Sequence, residues 1–233
     1  MKLAIMQPYF MPYIGYFQLM SLVEEFVIYD NIEFTKRGWI NRNRILVNGN
    51  DLTITVPLKK DSDYLDICER RLADTWITER KKMLNRITES YRKAPYFEIA
   101  FPAIEKSVLY EDYNLFSFIH NSITLVNEYL EIPTKIVIAS TILIDHRLKS
   151  ERKVIEICKS QQAEKYINPI GGMELYSKDN FKQQGIDLQF LKPGDISYKQ
   201  FKNEFVPWLS IIDVMMFNSK YEIRKLLSIK ALL

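Results

Sequence analysis

KLAIMQPYFMPYIGYFQLMSLVEEFVIYD, residues 2–30, is the stretch that decides the fold. Residues 2–7 form a short apolar run stopped by Pro8, the pattern of a buried strand. From Pro12, a proline where a helix opens, apolar residues recur at helical spacing over 12–25. EFVIYD, 25–30, then reads as a second buried strand. Strand, loop, helix and strand within about thirty residues predict a right-handed βαβ crossover. The loop inside it, QPYFMPYIGYF at 7–17, is crowded with aromatics and prolines, and that crowding asks for a reason.

Outward from this unit, RNRILV (42–47) and DLTITVPL (51–58) flank Asn48-Gly49-Asn50, which suits the positive φ values of a tight hairpin turn. Helical periodicity follows over 75–92 and 112–130, and KIVIAST (135–141) is another buried-strand run. The last third alternates: helix ERKVIEICKSQQ, strand KYINP, helix ELYSKDNFKQQG closed by Gly185, strand IDLQFL. RKLLSIKALL at the C-terminus reads as a basic amphipathic helix. Alternation of this kind predicts an α/β fold, a mainly parallel Rossmann-like sheet with helices on both faces, here carrying a β-hairpin insertion. We expect one domain over 1–233, with room for a helical subdomain over 62–130.

Composition sets the outer bounds. A chain of 233 residues, 47% hydrophobic and 26% charged, builds a sizeable core without staples. A net charge of +3 is too small for sequence-independent binding of duplex nucleic acid, so any anion site must be local. Cys68 and Cys158 stand alone and signal neither a disulfide framework nor a zinc site, and no metal motif is present. The apolar start is broken by Pro8 and Pro12 before it reaches signal-peptide length, and no run approaches a membrane span. A cytoplasmic protein is expected; the oligomeric state is left open.

In open α/β sheets ligands sit beyond the carboxyl ends of the strands. That rule places Gln7, Pro8 and Tyr9 after the first strand, Asp30 after the second, and Asn168, Gly171 and Gly172 of NPIGG after a late one at a common edge. Tyr176 is expected one turn into the helix that follows, facing the same cleft. Tyr16 and Phe17 read as core instead. The richest polar stretch is DNIEFTKRGWINRNR, 30–44, in which Lys36, Arg37, Trp39, Asn41, Arg42, Asn43 and Arg44 fall within nine residues. Arginine forks match phosphate oxygens, Asn amides match sugar hydroxyls or bases, and an indole stacks on rings. The competing reading is a solvated basic edge. In an extended segment Arg42 and Arg44 share one face, and Asn41 and Asn43 the other. NPIGG equally fits an anion-binding turn or a plain turn.

For acid/base chemistry the candidates are Asp30, His120, His146 and Asp145. His120 lies among apolar helical positions and His146 in an exposed helix approach. Nucleophile elbow, P-loop, zinc-protease and dinucleotide signatures are absent.

IMQPYFMPYIGYFQL, FVIYDNIEFTKRGWINRNRI, YINPIGGMELYSKDNF, GIDLQFL and LSIIDVMMFN, in this order and over almost the entire chain, resemble the WbqC-like protein family. The matching positions are Gln7, Pro8, Pro12, Gly15, Asp30, Lys36, Arg37, Trp39, Asn41, Arg42, Asn43, Asn168, Gly171, Gly172, Tyr176, Ser210 and Asp213; the resemblance assigns them no individual roles. It implies a part in bacterial surface-polysaccharide (O-antigen and capsule) assembly, with amino-acid (glycine) transfer suggested for some members. Joined to the residues, it gives a leading expectation of a transferase that N-aminoacylates a nucleotide-linked amino sugar. In that reading Arg37, Arg42 and Arg44 hold phosphates, Trp39 or Tyr9 stacks, and Asp30 is the general base. Two alternatives remain: an ATP-dependent, Mg²⁺-requiring ligase on a Rossmann-like site, and a non-catalytic glycan- or protein-binding module.

Overall fold

The computed structural model describes residues 1–202 and 204–233. Its centre is a six-stranded sheet in the order β5-β2-β1-β6-β7-β8. Strands β1 (Lys2–Met6), β2 (Glu25–Ile28), β5 (Lys135–Ile138), β6 (Lys165–Pro169) and β7 (Asp187–Pro193) run parallel, and β8 (Lys230–Leu232) joins β7 antiparallel. The first five lie in the 3-2-1-4-5 order of a Rossmann sheet.

Period-two alternation assigns each side chain to a face. Ala4, Phe26, Ile28, Ile167 and Leu191 point into a large core built with α1 (Ile14–Met20), α2 (Trp76–Tyr91), α3 (Phe97–Val108), α4 (Leu115–Leu130), α7 (Ile211–Phe217) and α8 (Lys220–Ser228). Leu3, Ile5, Val27, Tyr166, Leu188 and Phe190 point the other way, against α5 (Ser150–Ser160) and α6 (Lys178–Gln183). The two cores lie on opposite faces because the crossover through α1 steps outward from β1 to β2, while that through α5 jumps back over β1 to β6; right-handed connections in opposite directions need opposite faces. Tyr16 and Phe17 are buried, as core residues should be. Helices α2 to α4 pack in the same core as the sheet. No helix among the described residues is long and apolar enough to cross a membrane.

The hairpin of β3 (Arg42–Val47) and β4 (Asn50–Thr55) stands apart as its own two-stranded sheet. Its turn is two residues, Asn48 at φ 50° and Gly49 at φ 81°, the pair of positive φ values that matches the strand twist.

Four elements depart from the sequence reading. Helix α3 falls inside the span left for a helical subdomain but between its two periodic stretches, its own pattern masked by Pro102 within it. Helix α1 is shorter than 12–25. The C-terminal helix stops at Ser228, and the last residues pair with the edge of β7 as a strand, closing backbone groups that a helix would leave open. The helix expected from Glu174 is a 3₁₀ helix over Ile170–Leu175, and α6 starts only after Ser177, whose Oγ accepts the Asn180 N–H as an N-cap. Tyr176 therefore precedes the helix in extended backbone instead of lying one turn inside it.

Candidate functional site

Strand β1 sits where the strand order reverses, with β2 and β5 on one side and β6 and β7 on the other, the place where crevices open in such sheets. The segments leaving the carboxyl edge are 7–13 after β1, 29–31 after β2, the 3₁₀ turn Ala139–Thr141 after β5, and 170–176 after β6, whose last residues are Asn168 and Pro169. Gln7 and Pro8 directly follow β1, and the Gln7 carbonyl accepts the Tyr16 hydroxyl at 3.3 Å.

Asp30 is 2% exposed. Its Oδ1 accepts the Ser140 N–H at 2.9 Å, and its carbonyl accepts the Cys68 N–H at 3.1 Å. Among the described residues none donates a hydrogen bond to Oδ2. His120, half-buried on α4 with its ring 5.7 Å from that of Phe116, is held below its usual pKa by burial, against the pull of the Asp30 carboxylate. A neutral imidazole and an aligned carboxylate thus share one electrostatic neighbourhood.

Around them lie groups that the sequence reading set aside or passed over. The Asn31 amide nitrogen lies 2.9 Å from His146 Nδ1, and His146 Nε2 lies 2.9 Å from the Ile142 carbonyl. A carbonyl only accepts, so Nε2 donates to Ile142 and Nδ1 accepts from Asn31. Lys153 is buried; its Nζ lies 3.2 Å from both the carbonyl and Oδ1 of Asn31 and 4.9 Å from the centre of the Tyr29 ring. Burial lowers its pKa against the attraction of Asp66, Asp30 and Cys68. The Cys68 thiol is pushed up to about 11, by burial first and then by the Asp30 and Asp66 carboxylates, which keeps it protonated and a poor nucleophile. Asp66 is raised by burial and by Glu69. Tyr29 is raised by burial and by its neighbour Tyr176, which ties the segment after β6 to the same cluster. Lys153 had a sequence signal: it occupies the stripe of Val154, Ile157 and Cys158 that faces the core of α5.

The basic stretch is divided by its contacts. Asn43 is buried, donating to the carbonyls of Phe10 at 3.2 Å and Met11 at 2.7 Å, and Asn41 donates to Val56 at 2.8 Å. Arg42 and Arg44 share the opposite face, with guanidinium carbons 5.7 and 5.6 Å from the Trp39 ring centre. Arg42 donates from Nε to the Gly38 carbonyl at 2.9 Å and from Nη2 to the Arg37 carbonyl at 2.6 Å. Arg44 donates to Asp51 and to the Trp208 carbonyl, both at 3.2 Å. Lys36 pairs with Asp63 at 2.6 Å on the surface, and Arg37 is exposed. Tyr9, Trp39, Asn43 and Arg44 come together with Pro12, Tyr13 and Trp208 around a pocket of about 220 Å³. Trp208, 61% exposed and in left-handed backbone, was missed; its only sequence signal is the Pro207-Trp208 pair ahead of the apolar run that opens α7.

At the end of β6, Asn168 Oδ1 accepts the Tyr166 hydroxyl at 2.9 Å. Gly172 is packed so closely that a Cβ there would lie 1.9 Å from Asn168 Nδ2, whereas nothing lies within 4 Å of the same position on Gly171. Asp30 and His120 thus form one group, Tyr9, Trp39, Asn43 and Arg44 a second, and the loop 7–13 runs from the first strand's end into the second.

The sequence profile of the WbqC-like protein family matches residues 7–225. A curated relative, "Uncharacterized protein Rv1507c" of Mycobacterium tuberculosis (strain ATCC 25618 / H37Rv), is 29% identical over 223 residues, covering 93% of each chain. No solved structure matches the chain.

Proposed function

The chain belongs to the WbqC-like protein family, and from that membership and the geometry of the carboxyl edge we propose that it is a transferase of surface-polysaccharide biosynthesis. It acts on a nucleotide-linked amino sugar, by N-aminoacylation. The observation that carries this reading is Asp30: a buried carboxylate beyond the second strand, fixed through Oδ1 by the Ser140 N–H and free of protein donors at Oδ2 among the described residues.

In this reading Oδ2 takes a proton from the sugar's amine as its nitrogen attacks the acyl carbon of an activated donor. The new N–C bond forms, the donor's leaving group departs with the electrons of the broken acyl bond, and the proton rests on Asp30. His120, neutral because burial lowers its pKa, accepts a hydrogen bond from the acceptor without adding a charge. The pocket at Trp39 and Trp208 offers aromatic faces to the planar or sugar part of the substrate. Replacing Asp30 by Asn is expected to lower kcat about 10²–10⁴-fold with little change in KM, measured with nucleotide-linked amino sugars and aminoacyl donors. Wild-type turnover by the Asn variant would remove Asp30 from the chemistry.

The 3-2-1-4-5 strand order favours a second reading, the ATP-dependent ligase, since nucleotides bind at the same reversal point. ATP with Mg²⁺ raising the Tm while amino sugars and aminoacyl donors leave it unchanged would favour the ligase.

A further inference from the structure

We propose that Lys153 is the anion-binding residue at the carboxyl edge of the sheet and receives a phosphoryl group of the substrate. This inference rests on the nucleotide-linked substrate of the preceding reading and names the residue that reads its phosphates.

The first reason is that the lysine is buried without a counter-ion. Lys153 is 4% exposed, and no carboxylate among the described residues lies within 4 Å of its ammonium; both of its hydrogen-bond partners, the carbonyl and Oδ1 of Asn31, are neutral. Buried charges in folded proteins are paired, and a lone buried cation costs stability. Two contacts at 3.2 Å leave one of the three ammonium N–H groups without an acceptor among the described residues. A cation held this way keeps a free N–H and has no ion pair in direct contact among the described residues, and a ligand's anion would supply both the acceptor and the pair.

Position gives the second reason. Lys153 stands at the start of α5, an eleven-residue helix that opens at the carboxyl edge with no side-chain cap. The carboxylate of that turn, Glu151, is turned away and accepts from the Ser177 N–H and the Asn180 amide, both at 2.6 Å. An uncapped helix start with its own acid removed and a buried ammonium beside it favours an anion.

Third, the lysine is held in place. Its ammonium sits against the Tyr29 ring, and Asn31, which receives it, is itself fixed by His146. Asp30 and Asp66 lie further off and bias the site toward the charged ammonium without neutralising it. The arginines of the basic stretch are poorer candidates, because Arg42 already donates to two carbonyls and Arg44 to Asp51 and a carbonyl.

The test uses the full chain and inorganic pyrophosphate, then a nucleoside diphosphate, as probes in thermal shift and calorimetry. Both probes are expected to raise the wild-type Tm. Lys153→Met is expected to fold with a Tm equal to or a few degrees above wild type, since it removes a buried uncompensated charge, and to bind both probes at least tenfold more weakly. Lys153→Gln, which keeps a donor toward Asn31, should lose the probes equally. Tighter binding of the nucleoside diphosphate than of pyrophosphate supports a nucleotide over a free phosphate as the natural source. Unchanged binding in either variant, no binding by wild type, or a large Tm loss in both variants overturns the proposal, the last by showing that the lysine is structural. Asp30→Asn separates this inference from the transferase reading: Lys153-dependent binding that survives in the Asn variant, with no transfer detected in wild type, sinks the transferase and leaves the anion site standing.

Discussion

Gly171 and Gly172 are neighbours in sequence and opposites in environment. Sequence reading treats them alike, because a Gly-Gly pair after a strand suits both an anion-binding turn and a plain one. What separates them is the 3₁₀ coil of Ile170–Leu175, which turns Gly172 onto the buried Asn168 side chain and leaves Gly171 facing open space. Asn168 cannot yield easily, since it accepts from Tyr166 and donates to the Pro169 carbonyl. Gly172→Ala is therefore expected to cost about 1–3 kcal/mol, the range for overpacking a tight interior. Gly171→Ala should stay within about 0.5 kcal/mol of wild type, as an exposed substitution does. Urea denaturation of the two variants checks the contrast; equal losses would mean that the turn's backbone, not the contact with Asn168, sets the requirement. At this scale the candidate residues were legible by chemical type, but the partners of Arg42 and Arg44 were not, because a guanidinium that folds back on the carbonyls of its own loop has the same sequence as one that faces a ligand.

Between elements, the hairpin is the clamp on the aromatic loop, and this gives the crowding of residues 7–17 its reason. Met11 is held at φ 44°, an uncommon conformation for a residue with a side chain. Its carbonyl accepts from Asn43 Nδ2 and from Ser210 Oγ, each at 2.7 Å, while the Phe10 N–H donates to Ile40 and the Ile211 N–H to Pro12. Phe10 then stacks on Phe118 of α4 at 5.6 Å, so the loop is wedged between the hairpin and the helical layer. The hairpin was legible because Asn-Gly at its turn is a local signal, and the alternation of Asn and Arg told which side chains share a face. Which face is buried was not legible, since the loop and Ser210 that cover it come from the two ends of the chain. Helix α3 and strand β8 were unreadable for similar reasons: a proline masked the first, and the sheet edge overrode helical periodicity in the second. Asn43→Ala should leave the buried carbonyls of Phe10 and Met11 short of donors and cost about 1–3 kcal/mol. The loop should also lose its fixed geometry, seen as faster amide hydrogen exchange across 9–13 than in the hairpin turn. Unchanged exchange there would show that Ser210 alone holds the loop.

Over the whole molecule, the alternation of strands and helices was enough to give the parallel sheet and its two covered faces, because buried parallel strands leave continuous apolar runs. The ties that join distant parts were not visible, and Asp213 is the strongest of them. It is fully buried on α7 and accepts from Tyr91 of α2 at 2.9 Å, from Tyr198 at 2.7 Å and from Gln200 at 2.6 Å, while the Tyr91 hydroxyl in turn accepts the Leu46 N–H of the hairpin. Its donors are neutral, so burial outweighs their hydrogen bonds and raises the carboxyl above its ordinary range. A raised acid binds its proton more tightly in the folded state than in the unfolded one, so its ionisation lowers stability as pH rises from the unfolded value of about 3.9 through the raised folded value. Falling pH reverses that loss. Exposed acids such as Glu131 and Asp145, held low by Lys220 and by Arg147, run in the opposite direction, but they are common to wild type and variant and cancel in a difference. The stability of wild type minus that of Asp213→Asn should therefore increase as pH falls from neutral toward about 4, and level off below that. Chemical denaturation of both proteins across this range measures it. A difference that stays flat, or that shrinks on acidification, would mean that the three donors hold the carboxylate at or below its ordinary value and that hydrogen bonding, not burial, governs this tie.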